Sequence, residues 1–174
     1  MVRKRWLKKG WLWGLLLAAP LLLQAGIAFA QEQQPRIVLQ ISGQKEVIRI
    51  RDGKKAVILE PMDKIGTGDV LVYTVTYLNS GKSLARDVTV VNPIPEHTVY
   101  IPGSAAGRDT KILFSINGGA TYLEPPVFYK SRDNAGKEIV QPATPEMYTH
   151  IKWIVQTPVT PNGKGTTNFK VKVK

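Results

Sequence analysis

From residue 36 onward, apolar and polar residues alternate in short runs bounded by turn residues, the period-two signature of strands with one covered face. The runs predict strands over 36–41, 46–50, 56–59, 70–78, 87–91, 98–101, 112–116 and 127–130, then around Ile151, Trp153 and Val155, and last over 169–173. In the 70–78 run, Leu71, Tyr73, Val75 and Tyr77 fall on one face and Thr74 and Thr76 on the other, so the first set is the predicted core. Asp52-Gly53 supplies the positive φ of a tight hairpin between the second and third runs, and Asn117-Gly118-Gly119 is a second turn of that kind. Pro93-Ile94-Pro95 ends a strand, because two prolines within three residues cannot continue a ladder. Phe169, Val171 and Val173 alternate with Lys170, Lys172 and Lys174; such a lysine row predicts a protected edge strand.

Composition agrees with the pattern. After residue 30 there are 29 Val and Ile against seven Leu, with 13 Thr, 12 Gly and 11 Pro, a balance that suits pleated surfaces and turns and leaves little room for a long helix. Seven to nine short strands with turns about every ten residues describe an all-β antiparallel sandwich, a closed barrel being the alternative. The chain has no cysteine, which excludes a disulfide scaffold, a thiolate metal site and a cysteine nucleophile.

The first thirty residues follow a different rule. Arg3, Lys4, Arg5, Lys8 and Lys9 precede an apolar run from Trp11 to Leu23, and Ala28-Phe29-Ala30 offers small residues where a signal peptidase reads. The expected organisation is a signal peptide over 1–30, a short polar linker over 31–36 and one domain over 37–174. An uncleaved membrane anchor is the competing reading, since about twenty residues can span a bilayer; Pro20, Gln24 and the polar stretch that follows favour cleavage. Either way the domain is expected outside the inner membrane: periplasmic, secreted or on the cell surface. Removing the leader also changes the charge. Of the formal +11, five charges lie in the first thirty residues; the remainder holds 19 Lys and Arg against 13 Asp and Glu, a net +6, which argues against a nucleic-acid partner.

Three stretches go beyond composition: residues 68–81 (Gly-Asp, a Tyr-Thr strand, Asn-Ser-Gly), 85–95 (Val-Thr-Val, then Asn-Pro-Ile-Pro) and 100–105 (Tyr-Ile-Pro-Gly-Ser-Ala). This arrangement resembles the bacterial surface repeat called domain of unknown function eleven, here in a single copy, with Asn92 where that family commonly has Asp. The resemblance implies an immunoglobulin-like sandwich in an exported envelope protein and implies no catalysis. Its motif residues Gly68, Asp69, Tyr73, Asn79, Gly81, Pro95 and Trp153 have folding roles: Gly68-Asp69 turns into a buried strand, Asn79 and Gly81 permit left-handed backbone in the next turn, and Tyr73 fills the core.

Candidate chemistry is sparse. His97 and His150 are the only histidines, and no His-x-His, His-Glu-x-x-His or Gly-x-Ser-x-Gly spacing accompanies them, so neither a catalytic site nor a cofactor is expected. Asp63, Asp69, Asp87 and Asn92 lie in turns that could converge on calcium, but no spacing requires it and no metal site is assigned. Two surfaces remain. Arg49, Arg51, Lys54 and Lys55 gather around one hairpin, a candidate basic patch for an anionic polysaccharide or lipid. The segment 119–148 is long and individual and reads equally as a binding loop, with Tyr122, Phe128, Tyr129 and Arg132 as candidate contacts for a partner protein, and as an extra edge hairpin in which 123–130 pairs with 137–140 across Asp133-Asn134-Ala135-Gly136. The expected function is a non-enzymatic envelope or surface module with a structural or protein-interaction role; a soluble module binding carbohydrate or an anionic ligand is the alternative. The sequence names neither the partner protein nor an oligomeric state.

Overall fold

The computed structural model describes residues 34–174; the expected signal peptide over 1–30 and the first part of the linker lie outside the described residues. Eleven strands follow in order: β1 (Ile37–Arg51), β2 (Lys54–Glu60), β3 (Val70–Asn79), β4 (Thr89–Pro93), β5 (Thr98–Tyr100), β6 (Ala106–Gly107), β7 (Thr110–Ser115), β8 (Phe128–Arg132), β9 (Glu138–Pro142), β10 (His150–Val155) and β11 (Lys164–Val173). A single 3-10 turn at Pro145–Met147 is the one helical element among the described residues. None of the described helical structure is long and apolar enough to cross a membrane.

All strand pairing is antiparallel. One sheet runs β2-β1-β3-β11-β5, with β6 also paired to β11; a second runs β4-β10-β7; β8 and β9 form a separate hairpin. The inner faces of the two sheets meet in one core. Leu71, Val75 and Tyr77 of β3 and Phe169 and Val171 of β11 pack with Val90 of β4, Phe114 of β7 and Ile151, Trp153 and Val155 of β10. Trp153 is fully buried and its ring centre lies 6.0 Å from that of Phe169, which in turn stacks on Tyr73 at 5.3 Å. The architecture is therefore an all-β, sandwich-like one, as the alternation predicted.

Two expectations fail, each for a physical reason. The runs 36–41 and 46–50 are one strand, because Gly43 in the intervening Ser-Gly-Gln stays extended. A Cβ at Gly43 would collide with the Met62 side chain and lie 3.2 Å from Tyr73 Cε1, so this glycine serves close packing over a strand and not a turn. The second failure concerns β11. It is an interior strand, paired with β3 on one side and with β5 and β6 on the other, and not the protected edge its lysine row suggested. Alternation reports that one face is wet; it carries no information on lateral neighbours.

Turns follow local chemistry more closely. Asp52 and Gly53 both have positive φ, +52° and +71°, closing the β1–β2 hairpin as the Asp-Gly pair predicted. Pro93 sits at the end of β4, an edge strand where a missing N–H costs no ladder bond.

Candidate functional site

The motif residues are spread through the fold as structural supports. Gly68 takes φ +91°, and the Asp69 carboxylate accepts hydrogen bonds from Gly66 N (2.8 Å) and Lys45 Nζ (3.3 Å). The Gly66 N–H above all, and Lys45 after it, hold the Asp69 carboxyl below the usual carboxylate range. Asn79 is fully buried at the end of β3, where its Oδ1 accepts from Arg36 N and Gly81 N and its Nδ2 donates to the carbonyls of Ser83 and Val159. This side chain ties four separate backbone points together. Neither Asn79 nor Gly81 has a positive φ, contrary to the turn role expected of them. Gly81 is required by proximity: a Cβ there would strike the backbone of residues 34–36 crossing above it. The Pro95 carbonyl accepts from Thr98 Oγ1 at 2.6 Å, and the indole N–H of Trp153 is buried with no hydrogen-bond partner among the described residues.

The basic cluster resolves into two faces. In the β1–β2 hairpin, Arg49 lies opposite Ala56, Arg51 opposite Lys54, Ile48 opposite Val57 and Ile50 opposite Lys55. Cross-strand neighbours share a face, so Arg49, Arg51 and Lys54 line one side, while Lys55 belongs to the other with Ile48, Ile50, Val57 and Leu59. Arg49 Nη2 is 2.6 Å from Glu60 Oε1, which leaves Arg51 and Lys54 as the more available charges of that face. The opposite side is apolar and open: Ile48 is 64% exposed, Ile50 74% and Val57 59%. β1 makes its last pair with β3 at Glu46, so the hairpin tip continues past the sheet with β2 as its lateral neighbour.

The long segment 119–148 forms a hairpin across the expected turn, but with other bounds: β8 and β9 pair from Phe128↔Pro142 to Arg132↔Glu138 through Asp133-Asn134-Ala135-Gly136-Lys137, and Leu123, expected in the first strand, bridges to Phe114 instead. Asp133 Oδ1 accepts from the N–H groups of Ala135 and Lys137, a side-chain-supported turn. Register separates the four candidate contacts. Phe128 and Arg132 share the exposed face with Lys130 and Val140, whereas Tyr129 lies on the half-buried face, its hydroxyl bonded to Gln141 Nε2. Tyr122 stands apart, with Lys152 Nζ 3.8 Å from its ring centre in a cation–π contact. The structure therefore brings Phe128 and Arg132 together and removes Tyr122 and Tyr129 from their surface.

One feature was not legible as a site in the sequence. A cleft of about 200 Å³ is lined by Tyr100, Pro102, Ala105, Phe114, Pro125 and Tyr148. Its three aromatic rings pack at centroid distances of 5.2–5.5 Å, and burial pushes the Tyr100 hydroxyl above its ordinary pKa. At that size it accommodates a single apolar side chain, being smaller than the roughly 300–1,000 Å³ of small-molecule pockets. The rings come from β5, β7 and the loop between the 3-10 turn and β10 and converge only after folding, so no spacing announced them.

His97 has φ +59° in the turn before β5, and His150 opens β10 with Nδ1 3.2 Å from Thr149 Oγ1; they occupy different elements. Among the described residues no three His, Asp or Glu side chains gather as metal ligands, so Asp63, Asp69 and Asp87 do not form such a group. No family model matches the chain, no curated protein matches it, and no solved structure matches it.

Proposed function

We propose that the chain is an exported, non-enzymatic, immunoglobulin-like module of the cell envelope or cell surface, acting in structure or protein interaction. The basic and apolar leader ending at Ala28-Phe29-Ala30 supports export, and the Gly-Asp, Asn-x-Gly and Pro-Gly-Ser motifs support kinship with the bacterial surface repeat. The observation that carries the interaction role is the open apolar face of the β1–β2 tip, where Ile48, Ile50 and Val57 stay exposed beyond the sheet. Its polar motif residues, Asp69 and Asn79, are engaged in holding backbone, which fits a scaffold better than a reaction centre.

The test is crosslinking in intact cells with a photoreactive residue at position 50, alone and combined with Ile48→Asp/Val57→Asp on the same face. A partner protein captured by the first and lost in the second supports the reading; no capture at the tip overturns it. A second reading, binding of an anionic polysaccharide or lipid, is favoured by Arg51 and Lys54 on the reverse face of the same hairpin. Salt-sensitive retention on anionic vesicles or polysaccharide, abolished by Arg51→Gln/Lys54→Gln, would establish it in place of the first. Mass spectrometry of the mature N-terminus checks the leader: a chain beginning at Gln31 is expected, and one retaining Met1 overturns cleavage.

A further inference from the structure

The first half of β1 is a strand edge with no strand beside it among the described residues. β1 pairs with β3 from Ile37 to Glu46 but with β2 only from Lys45 to Arg51, so among the described residues no strand flanks the outer side of residues 37–44. Hydrogen-bond parity along this strand is fixed at both ends. At the start, Ser80 N donates to Arg36 O (2.8 Å) and Arg36 N donates to Asn79 Oδ1 (3.1 Å), so even-numbered residues turn their main-chain groups toward β3. At the far end Arg51 and Lys54 flank a two-residue turn, which makes odd-numbered residues the hydrogen-bonded partners of β2. The N–H and C=O groups of Ile37, Leu39, Ile41 and Gly43 therefore point outward, off the edge.

Nothing blunts this edge. Between Arg36 and Lys45 there is no charge and no proline, and Val38, Leu39 and Ile41 are 43%, 49% and 54% exposed. Exposed edges of natural sheets normally carry lysine, proline or a bulge. A bare apolar edge of this length is a template for another strand.

We propose that a second copy of the chain occupies it, antiparallel, with the two-fold axis at Leu39. In this register Leu39 faces Leu39 of the partner copy, and Ile37 and Ile41 face Ile41 and Ile37. These three pairs all join outward-turned main-chain groups, two bonds per pair, and set six apolar side chains on one continuous face. Neighbouring registers do worse. Moving the axis to Gln40 sets Pro35 of the partner copy opposite Lys45, whose edge Glu60 of β2 already occupies. Moving it to Val38 sets Ile41 against Pro35, which has no N–H to give. Because the same patch serves both copies, the contact closes as a dimer and extends no further. This contact does not depend on the hairpin-tip reading: Leu39→Lys leaves the tip intact, and Ile50→Asp leaves the edge intact.

The absence of cysteine gives a direct reporter. Hydrogen-bonded antiparallel pairs hold their Cα atoms about 5.5 Å apart, inside the roughly 4.4–6.8 Å a disulfide spans. Under mild oxidation of cells producing the full chain, Leu39→Cys is expected to give a reducible covalent dimer of the chain. Val38→Cys, whose counterpart lies diagonally across the ladder, should give several-fold less. Sedimentation of the purified protein over a concentration series should show a dimer for the parent and a monomer for Leu39→Lys with unchanged circular dichroism. Equal coupling at positions 38 and 39 overturns the register. A parent that is monomeric throughout, a residue-39 thiol that couples to a different protein, or one shielded from alkylation within a monomer by the chain's own leader each overturns the self-pairing.

Discussion

β1 and β11 both pair with β3, one on each side, yet they are built on opposite plans. β11 alternates Phe and Val inward with Lys outward and is flanked on both sides by strands, so its main chain is shared and its apolar face is buried. β1 carries apolar residues on both faces, and over its first half it lacks an outer neighbour among the described residues. The strand whose lysine row suggested an edge lies inside, and the one apolar on both faces lies, over its first half, at the rim. Side-chain pattern answers to what covers the two faces of a sheet, whereas edge or interior position is a matter of main-chain partners, and the two need not agree.

The largest expected effect tests the energetic side of this contrast. Phe169→Ala, in β11, removes a fully buried ring that touches both Tyr73 and Trp153, and should cost about 3–5 kcal/mol in urea denaturation. Leu39→Ala, in β1, should cost under about 1 kcal/mol in the isolated copy, because the side chain is half exposed. Comparable losses at the two sites would mean that the rim is buried after all, and the contrast would be broken.

Next in size is the tie between the two strands that begin and end this corner. Asn79→Ala leaves the Arg36 and Gly81 N–H groups and the Ser83 carbonyl without this partner, the Val159 carbonyl keeping its bond from Ala85 N, and about 3 kcal/mol of destabilisation is expected, each orphaned buried group costing roughly 1–3 kcal/mol when water cannot reach it. Hydrogen exchange should show the loss first at the start of β1. Protection unchanged at Arg36 and Val38, whose N–H groups face β3, would separate Asn79 from the anchoring of that strand.

A smaller effect sharpens the account of the long strand. Gly43→Ala pushes against the flexible end of Met62, and about 1–2 kcal/mol is expected, relieved in large part by Met62→Ala in the same chain. Additive losses would show that Gly43 is not there to admit Met62.

The smallest concerns charge at the bend into β3. The Asp69 carboxyl is held below its ordinary range, so its contribution is present above the unfolded carboxylate range and is lost as pH falls through the lowered native value. Asp69→Asn should therefore lower stability slightly at neutral pH and flatten the acid limb, the parent and variant curves converging as pH falls through the lowered native value. An acid limb identical in parent and variant would remove Asp69 from that role.

Strand after strand was legible in the alternation because the face toward a core must be apolar and the face toward water need not be. Leu71, Val75, Tyr77 and Trp153 were readable as core on that ground, and Asp52-Gly53 as a hairpin because few residues accept positive φ. The interaction surfaces were only half legible. The basic cluster at 49–55 was visible in sequence, but its division into a charged face and an apolar face depends on the pairing register with β2. Tyr122 and Tyr129 had the composition of contact residues, yet Lys152 and Gln141 engage them from distant positions. The aromatic cleft and the bare edge of β1 had no local signal at all.

Residue types and their spacing thus settle which segments are strands, which way each side chain faces and where the chain must turn, since these follow from sterics within a few residues. Lateral order in the sheets, the interior place of β11, the Gly43–Met62 contact and the outward main-chain groups of Ile37, Leu39, Ile41 and Gly43, which no strand among the described residues takes up, were decided by long-range packing. Only the assembled sheets determine which hydrogen-bonding edges are consumed and which are left over.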